Sequence, residues 1–224
     1  MFNIQKMDLL VGIYIFGIIV SELMGAKTFP LVTIGTYTLN ASVAIFLLPL
    51  LFTINDMVIE VYGAERARSI VRTGLTMIVL LMLFIILSIS LPPSGRFMES
   101  EEAYDLVFGK SLRITIASLT AFAVADFLDI AIFSRIRKKM GKSKLWLRNN
   151  ASNFIAQFID TALFMTLAFY SLDRGFDENA SFLFSLILPY WLLKCSMSVI
   201  ETPLIYIGVN WLKKDSKKPK VIVN

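Results

Sequence analysis

Long runs of apolar residues dominate this chain, and their lengths restrict the folds available to it. An α-helix needs about 20 residues to cross the hydrocarbon core of a bilayer. Six apolar segments approach that length, at roughly 8–25, 40–55, 73–91, 111–133, 150–171 and 182–209. Because a spanning segment must satisfy its own backbone hydrogen bonds, segments of this kind form helices. The sequence therefore predicts an all-α integral membrane protein, a bundle of six transmembrane helices.

Two of the six segments depart from a simple span. The second is short, and we expect it to continue past Asp56 as a helix that leaves the hydrocarbon. The sixth is long and contains Pro203, which is expected to kink it because proline removes a helical hydrogen bond.

Composition supports this class and narrows the chemistry. Hydrophobic residues make up 56% of the 224 residues, and the mean hydropathy is +0.69, which is high for a soluble protein. The chain has no histidine, so it lacks the commonest transition-metal ligand and the usual neutral-pH base. Its single cysteine, Cys195, excludes an intramolecular disulfide. We therefore predict no metal, no cofactor and no catalytic residues.

Basic residues are concentrated in three regions: 56–72, 134–148 and the C-terminal tail. They are Arg66, Arg68, Arg72, Arg135, Arg137, Lys138, Lys139, Lys142, Lys144, Arg148, Lys213, Lys214, Lys217, Lys218 and Lys220. With six spans, these regions and the N-terminus lie on one side, which the positive-inside rule makes cytoplasmic. We predict a multi-pass protein of the cell (inner or plasma) membrane, with a transmembrane domain at 1–212 and a basic cytoplasmic tail at 213–224. Such clusters usually contact membrane lipids, so no direct contact with nucleic acid is expected.

The fifth apolar segment carries a polar stripe. Asn149, Asn153, Gln157 and Asp160 follow one another at intervals of four, four and three residues, which places them on one face of a helix. An ionisable group at membrane depth is costly and usually faces a bundle interior or a water-filled cavity. The stripe therefore predicts that this helix lines a path for a polar molecule.

Other apolar segments carry ionisable residues that extend this prediction. They are Glu22 in the first segment, Asp56 and Glu60 at the end of the second, Asp126 and Asp129 in the fourth, and Lys194 and Glu201 in the sixth. Lys194 is expected at the depth of Asp160, where the two form a structural ion pair, contribute to a binding site, or do both. The amides of the fifth segment line the cavity or form interhelical hydrogen bonds. Together these residues predict a shared polar cavity.

The predicted cavity contains more acids than cations. It either holds protonated acids or receives a cation or a hydrogen-bond donor. A carboxylate can accept two N–H bonds side by side, and an amide both donates and accepts, so the set suits the edge of a guanine-like base. The aromatic residues that offer a stacking surface are Phe122, Phe158, Phe164, Tyr190 and Trp191.

Four strings of the sequence resemble one known family. They are NDMVIEVYGAERARSIV at 55–71, FLDIAIFSRIRKK at 127–139, WLRNNASNFIAQFIDTALF at 146–164 and YWLLKCSMSVIETPLIY at 190–206. Together they resemble the queuosine precursor transporter family, also called the vitamin uptake transporter family. The resemblance extends from the first helix to the sixth.

The resemblance implies a six-helix membrane protein, not an enzyme, that imports 7-deazaguanine bases for salvage into tRNA queuosine. The bases are 7-cyano-7-deazaguanine, 7-aminomethyl-7-deazaguanine and queuine. The matched site positions are Asp56, Glu60, Asp129, Asn150, Ser152, Gln157, Asp160 and Lys194. Asn153, Asp126 and Glu22 are added to these candidates because of their positions in the apolar segments, and not because of the resemblance. We expect Asp160 and Gln157 to contact the base, and Asp129 and Asp56 to form a cytoplasmic gate or release path.

Several alternatives stay open. The chain could instead be the substrate-binding subunit of a multi-component, ATP-driven vitamin importer, since it has no phosphate-binding loop of its own. An aspartate-based membrane enzyme acting on lipids is a third class. The sequence does not say which deazaguanine is preferred, whether transport is coupled to protons, or whether the protein is a homodimer.

Overall fold

Seven α-helices and one β-hairpin make up the described structure. The computed structural model describes residues 4–140, 145–200 and 202–216, with the side chains of 125–153, 156, 197–202 and 214–216 excepted. The elements are α1 (Lys6–Met24), β1 (Thr28–Ile34), β2 (Tyr37–Ser42), α2 (Leu48–Tyr62), α3 (Ala64–Ser90), α4 (Glu101–Met140), α5 (Leu145–Phe169), α6 (Phe176–Ile200) and α7 (Thr202–Ser216). Short 3₁₀ turns at Val43–Phe46 and Met98–Ser100 lead into α2 and α4.

Four stretches of described helix are long and apolar enough to cross a membrane. They are Lys6–Met24, Val43–Tyr62, Ala64–Ser90 and Met98–Val124. The described apolar part of α5, Gln157–Phe169, is shorter. The predicted class, a mainly helical membrane protein, is therefore confirmed. The count of six spans and the side on which the termini lie stay predictions.

The β-hairpin is absent from the sequence prediction, which assigned only helices. β1 and β2 pair antiparallel, with a register shift between Pro30 and Val32. Proline has no N–H to give to the ladder, so it is tolerated at such an irregularity. Gly35 in the turn has a φ of 63°, a conformation that glycine adopts without a Cβ penalty. The strands are rich in threonine, valine, isoleucine and aromatic residues, which favour extended backbone.

Helices extend beyond the predicted apolar segments. α2 continues past Asp56 to Tyr62, as predicted, and α3 begins only two residues later. Gly63 joins the two helices with a φ of 86°. α4 runs from Glu101 to Met140, so it extends beyond both ends of the apolar segment predicted at 111–133.

The predicted sixth segment falls on two described helices. α6 is described to Ile200 and α7 from Thr202, and Pro203 lies at the start of the described part of α7. Residue 201 lies outside the described residues. The kink expected at Pro203 stays a prediction.

Two main apolar clusters hold the helices together. One joins α1, α2, α3 and α7 through residues that include Tyr14, Met57 and Ile70. The other joins the hairpin, α5 and α6 through residues that include Met165 and Tyr190. Tyr14, Met165 and Tyr190 also border the cavity described below, so both clusters contribute to its wall.

Candidate functional site

A cavity of about 280 Å³ lies inside the bundle, next to the hairpin. This volume is close to the lower limit of small-molecule pockets, roughly 300–1,000 Å³, and suits a single small ring system. All of α1–α6 contribute side chains, together with the end of β2 and the 3₁₀ turn that follows it. The polar residues of the lining are Ser21, Glu22, Ser42, Ser118, Asp160, Thr161, Tyr190 and Lys194.

Asp160 and Lys194 form an ion pair in the wall of this cavity. The Lys194 Nζ donates to Asp160 Oδ2 at 2.7 Å. The lysine side chain is 15% exposed and the aspartate side chain 29%. α5 supplies the acid and α6 the base, as their similar depth in the sequence predicted. The pairing offsets the cost of holding both charges away from water. An ammonium has three N–H donors, and one of them serves the bond to Asp160.

Glu22 is the second acid of the cavity and has a different environment. It lies in the last turns of α1 and is only 6% exposed. Its Oε2 is buried and has no hydrogen-bond partner among the described residues. The hydroxyl groups of Thr115 and Ser118 on α4 lie beside the carboxyl. Within the described part of the chain, no lysine or arginine forms an ion pair with Glu22.

Thr161 lies next to Asp160 in α5, and the sequence analysis missed it. The side chain is 1% exposed, lines the cavity, and its Oγ1 has no described hydrogen-bond partner. A helical threonine usually donates to the carbonyl four residues before it. Thr115, Thr120 and Thr166 do so, at 3.0, 2.7 and 2.7 Å. A threonine directly after a buried aspartate was the only sequence signal for this position.

The predicted aromatic residues fall into two groups. Phe122, Phe164 and Tyr190 line the cavity. Phe158 and Trp191 instead pack edge to face, with ring centroids 5.4 Å apart, and neither is part of the lining. The cavity therefore has aromatic surface on α4, α5 and α6, close to its ionisable groups.

The hairpin is hydrogen-bonded to the helices around the cavity. Tyr190 donates its hydroxyl to the Ser42 carbonyl at 3.1 Å, and Ser42 Oγ donates to the Gly25 carbonyl at 2.6 Å. Farther along the strand, Asn40 Nδ2 donates to Ser185 Oγ at 2.8 Å. Ser42 and Tyr190 line the cavity, so these bonds hold the base of the hairpin against its wall.

Removing the Tyr190 hydroxyl is expected to loosen this attachment. Tyr190→Phe should lower the free energy of unfolding by about 1–1.5 kcal/mol, because it deletes one buried hydrogen bond and keeps the ring. Tyr206→Phe is the matched control, since Tyr206 is 69% exposed, and it should change stability by less than about 0.5 kcal/mol. Denaturant unfolding in detergent measures both, and equal losses would show that the bond to Ser42 contributes nothing.

The other predicted site residues do not line this cavity or lie outside the described side chains. Gln157 is half-buried, one turn from Asp160, and its Oε1 lies 4.0 Å from Cys195 Sγ. Asp56 is half-buried and Glu60 is exposed, both on α2 and away from the lining. The side chains of Asp126, Asp129, Asn150, Asn153, Ser152 and Glu201 are outside the described residues.

A helical membrane protein with a partly charged cavity between its helices is the class that this fold and site define. The chain belongs to the family described as "Putative vitamin uptake transporter", whose model matches residues 42–208. This is a family of transporters and not of enzymes, and the protein is a multi-pass protein of the cell membrane.

Three relatives carry related names. The chain is 27% identical over 186 residues to a "Probable queuosine precursor transporter" of Bacillus subtilis, covering 83% of this chain and 79% of the relative. It is 30% identical over 123 residues to a protein of the same name from Haemophilus influenzae, covering 54% and 49%. It is 28% identical over 131 residues to the "Queuosine precursor transporter" of Escherichia coli, covering 58% and 56%. No solved structure matches the chain.

Proposed function

We propose that this protein imports queuosine precursors, that is 7-deazaguanine bases, across the cell membrane for salvage into tRNA queuosine. The observation that carries the proposal is the cavity, which combines aromatic surface with the Asp160–Lys194 pair inside the bundle. The names of the three relatives support the same substrate class.

The cavity offers what a deazaguanine requires. The base presents a carbonyl oxygen that accepts a hydrogen bond, next to N–H groups that donate. Lys194 has N–H groups for the carbonyl, and a carboxylate can accept two N–H groups side by side. Phe122 and Phe164 supply surface on which a flat ring can stack. In this proposal Asp160 and Lys194 contact the base, and Gln157 orients α5 from one turn away.

The proposal includes a topology of six spans with both termini in the cytoplasm. A domain at 1–212 crosses the membrane, and the basic tail at 213–224 stays on the cytoplasmic side. The hairpin then faces the outside, and the cavity lies in the outer half of the bundle. The remaining predicted polar residues lie toward the cytoplasm, where they form a release path: Asp56, Glu60, Asp126, Asp129, Asn150 and Asn153.

Cysteine labelling tests this topology, because Cys195 is the only native cysteine. In a Cys195→Ser background, Thr36→Cys in the exposed hairpin turn should react with a membrane-impermeant maleimide added to intact cells. Lys213→Cys, exposed on α7, should react only after the cells are opened. Labelling of both in intact cells, or of Lys213→Cys alone, would contradict the proposed orientation.

Transport by the purified protein tests the function itself. The protein alone in liposomes should carry labelled 7-aminomethyl-7-deazaguanine or queuine inward, and empty liposomes should not. Transport only after an ATP-hydrolysing partner is added would favour a substrate-binding subunit of a larger importer. Transport of neither base in either arrangement would contradict the proposed substrate class.

A further inference from the structure

We propose that Glu22, assisted by Thr161, is the specificity-determining contact of the cavity, and that it selects deazaguanine bases that carry an ammonium group over the uncharged cyano base. This inference rests on the proposed function and names the preferred substrates within it. It begins from two buried polar atoms of the cavity wall that have no hydrogen-bond partner among the described residues.

Three hydroxyl groups of the wall already donate to backbone carbonyls. Ser21 Oγ donates to the Gly17 carbonyl at 2.7 Å. Ser42 donates to Gly25, and Tyr190 donates to Ser42. These groups hold α1, the hairpin and α6 in place, and their hydrogens are not available to a ligand.

Two side chains of the wall are left with buried, unpartnered atoms. They are Glu22, through Oε2, and Thr161, through Oγ1. Neither is solvated, since the side chains are 6% and 1% exposed. The hydroxyl groups of Ser118 and Thr115 lie beside the Glu22 carboxyl, yet its Oε2 has no hydrogen-bond partner among the described residues. A buried polar atom of this kind costs free energy until a ligand, a proton or a water pairs with it.

The charges of the cavity wall indicate what kind of ligand would pair with these buried atoms. Among its described residues, the ionisable acids and bases are Glu22, Asp160 and Lys194, apart from the Tyr14 and Tyr190 phenols. Lys194 is already neutralised by Asp160 at 2.7 Å. Glu22 is therefore the acid without a described counter-charge. A primary ammonium supplies that charge together with three N–H donors, and a secondary ammonium supplies it with two, which is enough for a carboxylate and a hydroxyl.

Deazaguanine bases differ in this respect at their 7-substituent. The aminomethyl base and queuine carry a protonated amine, whereas the cyano base carries a neutral nitrile that only accepts hydrogen bonds. The proposal places the ring at Asp160 and Lys194 and the amine at Glu22 and Thr161, and all four residues line the same cavity. A nitrile in that position can accept a hydrogen bond from the Thr161 hydroxyl, but it gives the Glu22 carboxylate no donor, so the cyano base binds more weakly.

Binding measurements on the purified full-length protein test this assignment. Dissociation constants are compared for 7-aminomethyl-7-deazaguanine and 7-cyano-7-deazaguanine in the wild type and in Glu22→Gln. The wild type should bind the aminomethyl base at least about tenfold more tightly, as a charge-assisted hydrogen bond predicts. Glu22→Gln keeps the size of the side chain but removes its charge, so it should reduce this ratio to about threefold or less.

Two further variants separate charge from folding. Glu22→Asp retains the charge and should keep a preference for the aminomethyl base. Glu102→Gln changes an exposed acid in the first turn of α4 and should leave both dissociation constants unchanged. If Glu22→Gln does not fold, the wild-type preference and the Glu22→Asp comparison decide the outcome.

The possible failures are distinguishable. Equal binding of the two bases by the wild type would overturn the role of Glu22 and leave the proposed function intact. If Glu22→Gln weakens the binding of both bases equally, the role of Glu22 is likewise overturned and the proposed function is left intact. Binding of neither base by the wild type would overturn the proposed function, and the assignment of Glu22 with it.

Discussion

Asp160→Asn is expected to reduce uptake of a 7-deazaguanine base by at least about tenfold, which corresponds to about 1.4 kcal/mol. The substitution keeps the shape of the side chain but removes the partner of an ammonium that it contacts at 2.7 Å. Lys194 is only 15% exposed, so water compensates the lost partner poorly. Removing one member of a fully buried pair costs about 3–5 kcal/mol, and the partial exposure of this pair places the loss of stability below that range.

The double variant Asp160→Asn/Lys194→Met separates two roles of the pair. Removing both charges should return the stability to within about 1 kcal/mol of the wild type, because no unpaired charge remains. If the two residues contact the base, uptake stays low in the double variant. If they only hold α5 against α6, uptake recovers together with stability.

Asp173→Asn provides the matched control for the aspartate change. Asp173 is exposed, between α5 and α6, and accepts a hydrogen bond from Ser171 Oγ. That bond lowers the pKa of Asp173 from its ordinary value, and an asparagine oxygen can still accept it. Stability should change by less than about 0.5 kcal/mol, and uptake should not change. Radiolabelled uptake in cells with equal amounts of each variant, and thermal unfolding in detergent, give the two readouts.

Gly74→Leu is expected to destabilise the protein by about 1–3 kcal/mol and to abolish most uptake. Gly74 lies on α3 where α1 crosses closely. A Cβ at this position would lie 2.7 Å from Ile18 Cδ1 and 3.3 Å from Tyr14 Cε1. Ile18 and Tyr14 both line the cavity, so a larger side chain forces its wall inward or separates the two helices.

Gly12→Leu is the control for this prediction. Gly12 lies in α1, is exposed, and a Cβ there would have nothing within 4 Å. Both substitutions replace a helical glycine with the same helix-favouring residue, so they differ in packing alone. Unfolding curves and uptake should be close to wild type for Gly12→Leu. Similar behaviour of the two variants would contradict the close packing of α1 on α3.

Local patterns in the sequence predicted much of the helical structure. Apolar runs indicated the regions of α1 and α3, and the acids at the end of the second segment lie in α2, as expected. The boundaries were less predictable. The stretches 101–110 and 134–140 lie outside the predicted apolar segment and are more polar, yet they are helical, because helix-favouring residues continue α4 through them. The hairpin was missed because its strands are short and it is stabilised by contacts with α6, such as the Tyr190–Ser42 bond.

The candidate site was predicted in part, and for a definite reason. Asp160 and Lys194 lie at matching depths, so the spacing along two helices was enough to pair them. Gln157 shares the stripe of Asp160, yet one turn along α5 carries it out of the cavity lining and toward Cys195. Thr161 is adjacent to Asp160 in sequence but lies outside the predicted stripe, and only the packing of α5 shows that it lines the cavity.

The sequence by itself determined that the chain is a helical membrane protein, since apolar segments of that length must satisfy their backbone hydrogen bonds internally. It also determined that costly charges lie inside the bundle. Only the tertiary structure decided which of those charges are compensated. Lys194 reaches Asp160, whereas Glu22 is enclosed by α4 hydroxyls and lacks a described cation. That difference depends on distances between helices that are far apart in the chain. Hydropathy and the spacing of residues along one helix do not predict such distances.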